Sequence, residues 1–118
     1  MGDLQRLIEA VGRGDDMLFR RFNRAVFSTP CQDIALQLRE ENCRHAYKGS
    51  LDDAKSLHEA LLPGWEWTAH SNGQAVVWPP GTIDEQNAGM IETDIDGQPA
   101  RALLAAILRA VEAKGGVA

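Results

Sequence analysis

The residue of this sequence with the clearest potential for binding chemistry is Arg101, in the first turn of a helix predicted over 99–114. The backbone N–H groups and the dipole of a helix N-terminus attract anions, and a guanidinium can bind a phosphate through two parallel hydrogen bonds. The position of Arg101 therefore predicts an anion site. The alternative is a surface arginine that forms an ion pair with Glu92, Asp94 or Asp96, which is a common arrangement.

Aromatic side chains are the second group of candidates. Trp67, Trp78 and Tyr47 offer flat faces on which a nucleobase can stack with little demand for sequence. The alternative is a core position, which is favoured for Trp65 and Trp67 because they share one strand face with Ala69. Trp78 stands at a strand end before two prolines, so we expect it to be the more exposed.

Three arginines lie on one predicted helix, which covers about 15–27: Arg20, Arg21 and Arg24. Together with Arg13 they could form a cationic patch, and Arg20 and Arg24 are therefore ligand-binding candidates. The alternative is a solvated helix face, which is what a run of like charges commonly represents.

Metal-ligating atoms are present in Cys31, Cys43, His45 and His58. Their spacing matches none of the paired Cys or His patterns of zinc sites, so we expect no metal. No Gly-x-Ser-x-Gly elbow or phosphate-binding loop accompanies them, so we expect no catalytic residue, no cofactor and no enzymatic activity. In a reducing cytoplasm both thiols are expected to be free.

The composition restricts the class of protein. With 118 residues, of which 44% are hydrophobic, the chain can bury one core, and we expect a single domain over 1–118. A net charge of −5 argues against general nucleic-acid binding, which depends on cationic contacts to phosphates. The start, MGDLQRL, does not resemble a signal peptide, and no apolar run has the length of a membrane span. We therefore expect a cytoplasmic protein without a membrane contact.

Hydrophobic periodicity and turn residues predict the secondary structure. The clearest signal is a hairpin at Asn72-Gly73, the preferred pair for a two-residue turn. Ser50 is a good N-cap for the helix that follows it, whereas residues 42–49 are typical of a connector. The predicted helices cover 4–11, 15–27, 32–42, 51–61 and 99–114, and the predicted strands cover 65–70, 74–78 and 90–95.

The order of these elements predicts an α+β fold. Short connections favour an antiparallel sheet, and amphipathic helices must cover its apolar face. We therefore expect a sheet of two to three strands sandwiched by helices. The expected parts of the domain are a helical N-terminal part over 1–45 and a helix-hairpin-helix core over 46–114.

Four short motifs occur in the order that is typical of one family. They are DLQRLI at 3–8, AYKGSLDDA at 46–54, LLPGWEW at 61–67 and PARALLAA at 99–106. With these motifs the chain resembles the small phage and prophage proteins grouped as the phage ABA sandwich domain. The resemblance implies a helix–sheet–helix architecture and a phage or prophage origin. It implies no activity, since most members are uncharacterised.

The layout is also similar, more distantly, to viral proteins that sequester nucleotide second messengers of bacterial immunity, which is an analogy of fold alone. It suggests a protein that binds an anionic, nucleotide-like messenger, with a pocket that could lie between the subunits of a homo-oligomer. The alternative is a protein-interaction module or an inhibitor of a host protein, which would use the acidic segment 84–96 or an exposed apolar patch. The ligand-binding candidates are Arg101, Trp78, Trp67, Tyr47, Arg20 and Arg24.

Overall fold

The computed structural model describes residues 2–27, 34–79 and 90–114. The elements in these ranges are α1 (Asp3–Arg13), α2 (Asp16–Phe27), α3 (Ile34–Tyr47), α4 (Leu51–Leu61), β1 (Glu66–Ala69), β2 (Gln74–Trp78), β3 (Ile91–Asp94) and α5 (Pro99–Ala113). The strands form one antiparallel sheet in the order β1-β2-β3. The predicted α+β class and antiparallel sheet are confirmed. None of the helices in these ranges is long and apolar enough to cross a membrane.

Helix α5 is the centre of the fold. It contacts α1, α3 and α4 as well as all three strands. Its large apolar side chains are fully buried, and they include Leu103, Leu104, Ile107 and Leu108. Burying each of them stabilises the fold by roughly 1.5–3 kcal/mol. The alanines between them are buried as well, and a helix that is apolar on all sides is expected to be covered on all sides.

The sheet packs one face on α5. Trp67, Val77 and Ile91 are cross-strand neighbours on this face, and Thr93 donates a hydrogen bond from Oγ1 to the carbonyl oxygen of Ala102 in α5 (2.5 Å). The other face carries exposed acidic side chains of β1 and β3. Within the described residues the layers are therefore the sheet, then α5, then α1, α3 and α4, so α5 is the middle layer.

The hairpin between β1 and β2 forms at Asn72-Gly73, as predicted. Its loop, however, has the three residues 71–73, because the N–H of His70 donates to the carbonyl oxygen of Gln74 (2.8 Å). The positive φ of +99° falls on Gly73. A three-residue loop whose third residue is left-handed is the next most common hairpin connection after the two-residue turn.

Helix α3 extends further than the sequence predicts. The predicted helix ended at residue 42 and a connector followed, whereas α3 continues to Tyr47. Cys43, Ala46 and Tyr47 are buried, and their spacing places them on one helix face. The residues around this short apolar stripe are polar, so the hydrophobic periodicity is too weak to predict a helix here. The last turn is stabilised by the burial of these side chains against neighbouring elements. The expected division of the chain at residue 45 falls inside α3.

The ends of the other helices agree more closely with the prediction. The side chain of Ser50 accepts a hydrogen bond from the N–H of Asp53 (3.2 Å) and caps α4. Helix α1 is predicted to end at residue 11, but it continues through Gly12 to Arg13, and the left-handed Gly14 caps it. In α4, His58 is buried, whereas Leu51 in the first turn is 39% exposed.

Candidate functional site

A cavity of about 270 Å³ opens between α2 and α3. Four cationic side chains and one acidic side chain line it, so its lining is positively charged although the whole chain has a net charge of −5. We call it the basic cavity and define it by Phe19, Arg20, Asn23, Arg24, Glu40, Arg44 and Lys48.

The α2 side of the basic cavity consists of two pairs of residues at a spacing of four. Side chains at this spacing lie one above the other on a helix. Phe19 and Asn23 are buried, whereas Arg20 and Arg24 are exposed. Two of the four arginines predicted as a cationic patch, Arg20 and Arg24, therefore border a concave site with a buried aromatic and a buried amide side chain, whereas Arg13 and Arg21 do not line it.

The α3 side repeats the same spacing with Glu40, Arg44 and Lys48. Lys48 follows the last residue of α3, and its N–H donates to the carbonyl oxygen of Arg44 (3.2 Å), which keeps it in the helical register. Arg44 and Lys48 are not among the residues predicted from the sequence, because the predicted helix ends at residue 42. The signal in the sequence that could have identified them is the spacing of four residues between Glu40, Arg44 and Lys48, which places them on one helix face.

The positive charge of the basic cavity is largely unpaired. Arg44 lies 3.8 Å from Glu41, with both side chains about half exposed. In the part of the chain that the structure describes, Arg20, Arg24 and Lys48 form no ion pair. Like charges four residues apart destabilise a helix by roughly 0.2–0.5 kcal/mol, so the stability of the fold does not explain this cluster.

Asn23 is the buried polar residue of the lining and has 2% of its surface exposed. Its Nδ2 donates to the backbone carbonyl oxygen of Glu40 across the two helices (3.1 Å). Its Oδ1 has no hydrogen-bond partner among the described residues. An unsatisfied buried acceptor costs about 1–3 kcal/mol, and the sequence carried no signal for this residue.

Tyr47 and Arg101 form a second cluster beside Phe19. The Tyr47 ring stacks on the Phe19 ring, with centroids 3.9 Å apart and planes at 11°, and its hydroxyl donates to Oδ1 of Asp16 (2.6 Å). Burial raises the pKa of Tyr47 to about 12, assisted by the hydrogen bond to the carboxylate of Asp16. The guanidinium carbon of Arg101 lies 5.6 Å from the centroid of the Tyr47 ring, so the structure brings these two predicted site residues together.

Arg101 occupies the first turn of α5, as predicted. Within the described ranges it forms no ion pair with Glu92, Asp94, Asp96 or any other acid. Its guanidinium nitrogens lie 3.4 Å from the point where a Cβ on Gly14 would stand, so the guanidinium packs against the turn between α1 and α2. Its Nε is buried without a partner. The ion-pair alternative is therefore not what the structure shows.

The two predicted tryptophans lie on opposite faces of the sheet. Trp67 is half-buried on the α5 face, with its ring centroid 6.3 Å from that of His58. Trp78 is on the other face, where its Nε1 donates to Oε2 of Glu66 (2.8 Å). Neither tryptophan lines the basic cavity, so the structure does not bring them together with Arg20 and Arg24.

The cysteine and histidine residues form no metal cluster in the described ranges, where no group of three or more His, Cys, Asp or Glu is close enough to hold an ion. Cys43 is a free thiol and fully buried. Burial raises its pKa, and the negative charge of Glu40 raises it further, which makes it a poor nucleophile. Cys31 lies outside the described residues.

Comparisons with protein-family models, with curated proteins and with solved structures find no match to this chain. The resemblance to the phage ABA sandwich domain therefore stays a prediction. The fold and the site together define the class of protein: an α+β domain whose central helix α5 separates a three-stranded sheet from a helical layer, with a basic cavity between α2 and α3.

Proposed function

We propose that this protein binds a small anionic ligand in the basic cavity and holds it without altering it chemically. The observation that carries the proposal is the position of Arg20, Arg24 and Lys48 around one cavity, without an acidic partner among the described residues. Guanidinium and ammonium groups that converge on a concave site are the usual means by which proteins bind phosphates and carboxylates.

The size of the basic cavity favours a small ligand. Pockets for small organic molecules span about 300–1,000 Å³, and this cavity, at about 270 Å³, lies just below that range. A mononucleotide, or a smaller phosphate ester, suits this volume better than an oligonucleotide does. In its biological form the proposal is that a protein of phage origin sequesters a nucleotide messenger of bacterial immunity in the host cytoplasm.

The test is a binding titration with adenosine 5′-phosphate, cyclic adenosine monophosphate and inorganic phosphate, with calorimetry as the readout. Arg24→Gln should weaken binding about tenfold, because it removes one charged hydrogen-bond donor from the lining. The matched control is Arg21→Gln on the same helix, since the Arg21 guanidinium lies over the Phe22 ring (5.6 Å) and outside the lining. Equal losses in both variants, or no binding of any anion, would overturn the proposal.

Sequestration also differs from catalysis in the chemical state of the ligand that is recovered from the complex: a sequestered ligand is unchanged, whereas an enzyme converts it to a product. Native mass spectrometry of the complex should show the ligand retained, and denaturation should release it unaltered. The same spectrum gives the subunit count and thus tests the proposed homo-oligomer. A ligand that is recovered in altered form would favour an enzyme instead.

A second function, a protein-interaction module, is supported by the outer face of the sheet. There Val76 and Trp78 are half exposed, with the acidic side chains of Glu66 and Glu92 beside them as cross-strand neighbours. An aromatic side chain with a polar rim is typical of a contact surface. This function predicts a protein partner that the Trp78→Ser variant loses and that the Arg24→Gln variant keeps.

A further inference from the structure

We infer that the basic cavity selects anions that also carry a hydrogen-bond donor, and that Asn23 makes this selection. The inference rests on the proposed function, because it concerns the ligand class of the same cavity. Its basis is the Oδ1 atom of Asn23, which belongs to a side chain that lines the cavity, is 2% exposed and has no partner for that oxygen among the described residues.

The orientation of the Asn23 amide is determined by Glu40. Because Nδ2 donates to the backbone carbonyl oxygen of Glu40 (3.1 Å), the amide cannot rotate to offer its nitrogen without losing that bond. The remaining oxygen can accept a hydrogen bond but cannot donate one. No described protein donor bonds to it, and an N–H or O–H group of a ligand would satisfy it.

The cationic side chains next to Asn23 require the ligand to be an anion. Arg20 and Arg24 precede and follow it on the same side of α2, so the ligand's charge and its donor must lie within one cavity of about 270 Å³. A fully deprotonated oxyanion would satisfy the arginines but would place its oxygens against the partial negative charge of Oδ1. An anion with a donor satisfies both.

Two chemical groups supply an anion with a donor. One is a phosphate that retains a proton, since the second pKa of a phosphate monoester is about 6. The other is the exocyclic amino group of a nucleobase in a nucleotide, which presents N–H donors. Sulfate carries the charge without a proton at neutral pH and therefore serves as the reference anion.

The experiment compares two matched pairs of probes on the unmodified protein by calorimetry. The pairs are inorganic phosphate against sulfate, and adenosine 5′-phosphate against purine riboside 5′-phosphate, which lacks the amino group. We expect the member with the donor to bind about tenfold more tightly in at least one pair, as a lost hydrogen bond to a buried acceptor implies. A difference in affinity within the first pair identifies a protonated phosphate as the donor, and a difference within the second pair identifies the amino group of the base.

The outcomes separate this inference from the proposed function. If both members of each pair bind equally well, the cavity is an anion site and the selection by Asn23 is overturned. If none of the four probes binds, the proposed function itself fails and the inference fails with it. All four probes are measured on the unmodified protein, so the result of this comparison does not depend on whether a variant folds.

The Asn23→Leu variant then tests whether Asn23 is the residue that causes the preference for donor-bearing anions. Asn23→Leu has nearly the same shape and removes the acceptor, so the preference for the donor-bearing probe should fall to less than about twofold, with sulfate affinity as the reference. The matched control is Asn42→Leu, a half-buried asparagine of α3 outside the lining. Thermal melting verifies that each variant folds. A preference that persists in a folded Asn23→Leu variant would overturn the assignment.

Discussion

The guanidinium carbon of Arg101 lies 5.6 Å from the centroid of the Tyr47 ring. This contact joins the first turn of α5 to the last turn of α3. On α2, Phe19 stacks on Tyr47 and also lines the basic cavity. Arg101 therefore adjoins the cavity through two stacked rings and is not part of its lining, which indicates that it supports the cavity wall.

Replacing Arg101 by alanine should lower the free energy of unfolding by about 1 kcal/mol, because a partly buried cation–π contact contributes about 0.5–2 kcal/mol. Urea denaturation measures this change. The matched control is Arg109→Ala, since Arg109 is exposed on the same helix and its removal should cost less than half as much. Equal costs would contradict a structural role for Arg101.

Replacing Tyr47 by phenylalanine should lower the free energy of unfolding by about 1.5 kcal/mol at neutral pH, because the hydroxyl donates to the carboxylate of Asp16 (2.6 Å) and hydrogen bonds to charged groups contribute about 1.5–3 kcal/mol. Urea denaturation of both proteins measures the difference. No change in stability would show that solvent replaces this bond at no cost.

Tyr47 should also make stability depend on pH at high pH. Its pKa is raised from 10 to about 12 in the folded state, so the native protein keeps a proton that the unfolded chain releases. The stabilisation is complete below pH 10 and is lost as the pH rises through about 12. Tyr47 is the single tyrosine, so ultraviolet absorbance of the phenolate reports its titration directly. A transition near pH 10 in the folded protein would contradict this prediction.

His58 should make the free energy of unfolding depend on pH at mildly acidic pH. It is 2% exposed, and burial lowers its pKa from 6.5, against the smaller opposing effects of Glu59 and of a backbone contact with Glu66. The unfolded chain therefore takes up a proton before the native protein does. The free energy of unfolding should fall as the pH decreases below about 6.5, by up to about 1.4 kcal/mol per pH unit, and level off below the pKa of the folded state.

The test is urea denaturation between about pH 5 and 8 of the unmodified protein and of His58→Leu, in which this contribution to the slope should vanish. His70→Gln, on the exposed end of the hairpin, is the control and should keep the slope. If His58→Leu has the same pH dependence as the unmodified protein, another group is responsible.

Gly73→Ala should destabilise the protein by at least about 2 kcal/mol more than Gly49→Ala. Both glycines have a positive φ, +99° and +118°, so both substitutions strain the backbone. A Cβ on Gly73 would also overlap the carbonyl oxygen of Ile95, whereas a Cβ on Gly49 meets no atom within 4 Å. Thermal or urea denaturation compares the two variants, and similar costs would show that the loop around Ile95 can move away.

Local signals in the sequence predicted most of the fold. The Ser50 cap, the Asn72-Gly73 hairpin and the apolar helix at Pro99–Ala113 each depend on interactions between residues a few positions apart, and each is present in the structure. The last turn of α3 could not be predicted in this way. Its buried residues, such as Cys43 and Tyr47, are stabilised by elements distant in the chain.

The sequence also indicated Arg20 and Arg24 as cationic candidates, but not the cavity that they border. Their counterparts come from another part of the chain, Arg44 in α3 and Lys48 directly after its last residue, and the bond that orients Asn23 joins residues 17 positions apart. Spacing along one helix cannot reveal what lies opposite it.

By itself, the sequence determined the α+β class, the order of the elements and the central apolar helix, because backbone hydrogen bonding, capping and periodicity act within a few residues. Only the tertiary structure decided that Asn23 and four cationic side chains line one cavity, that Arg101 packs on Tyr47, and that Trp67 and Trp78 lie on opposite faces of the sheet. The physical reason is that a cavity arises where two helices pack imperfectly, and this depends on contacts between residues far apart in the chain.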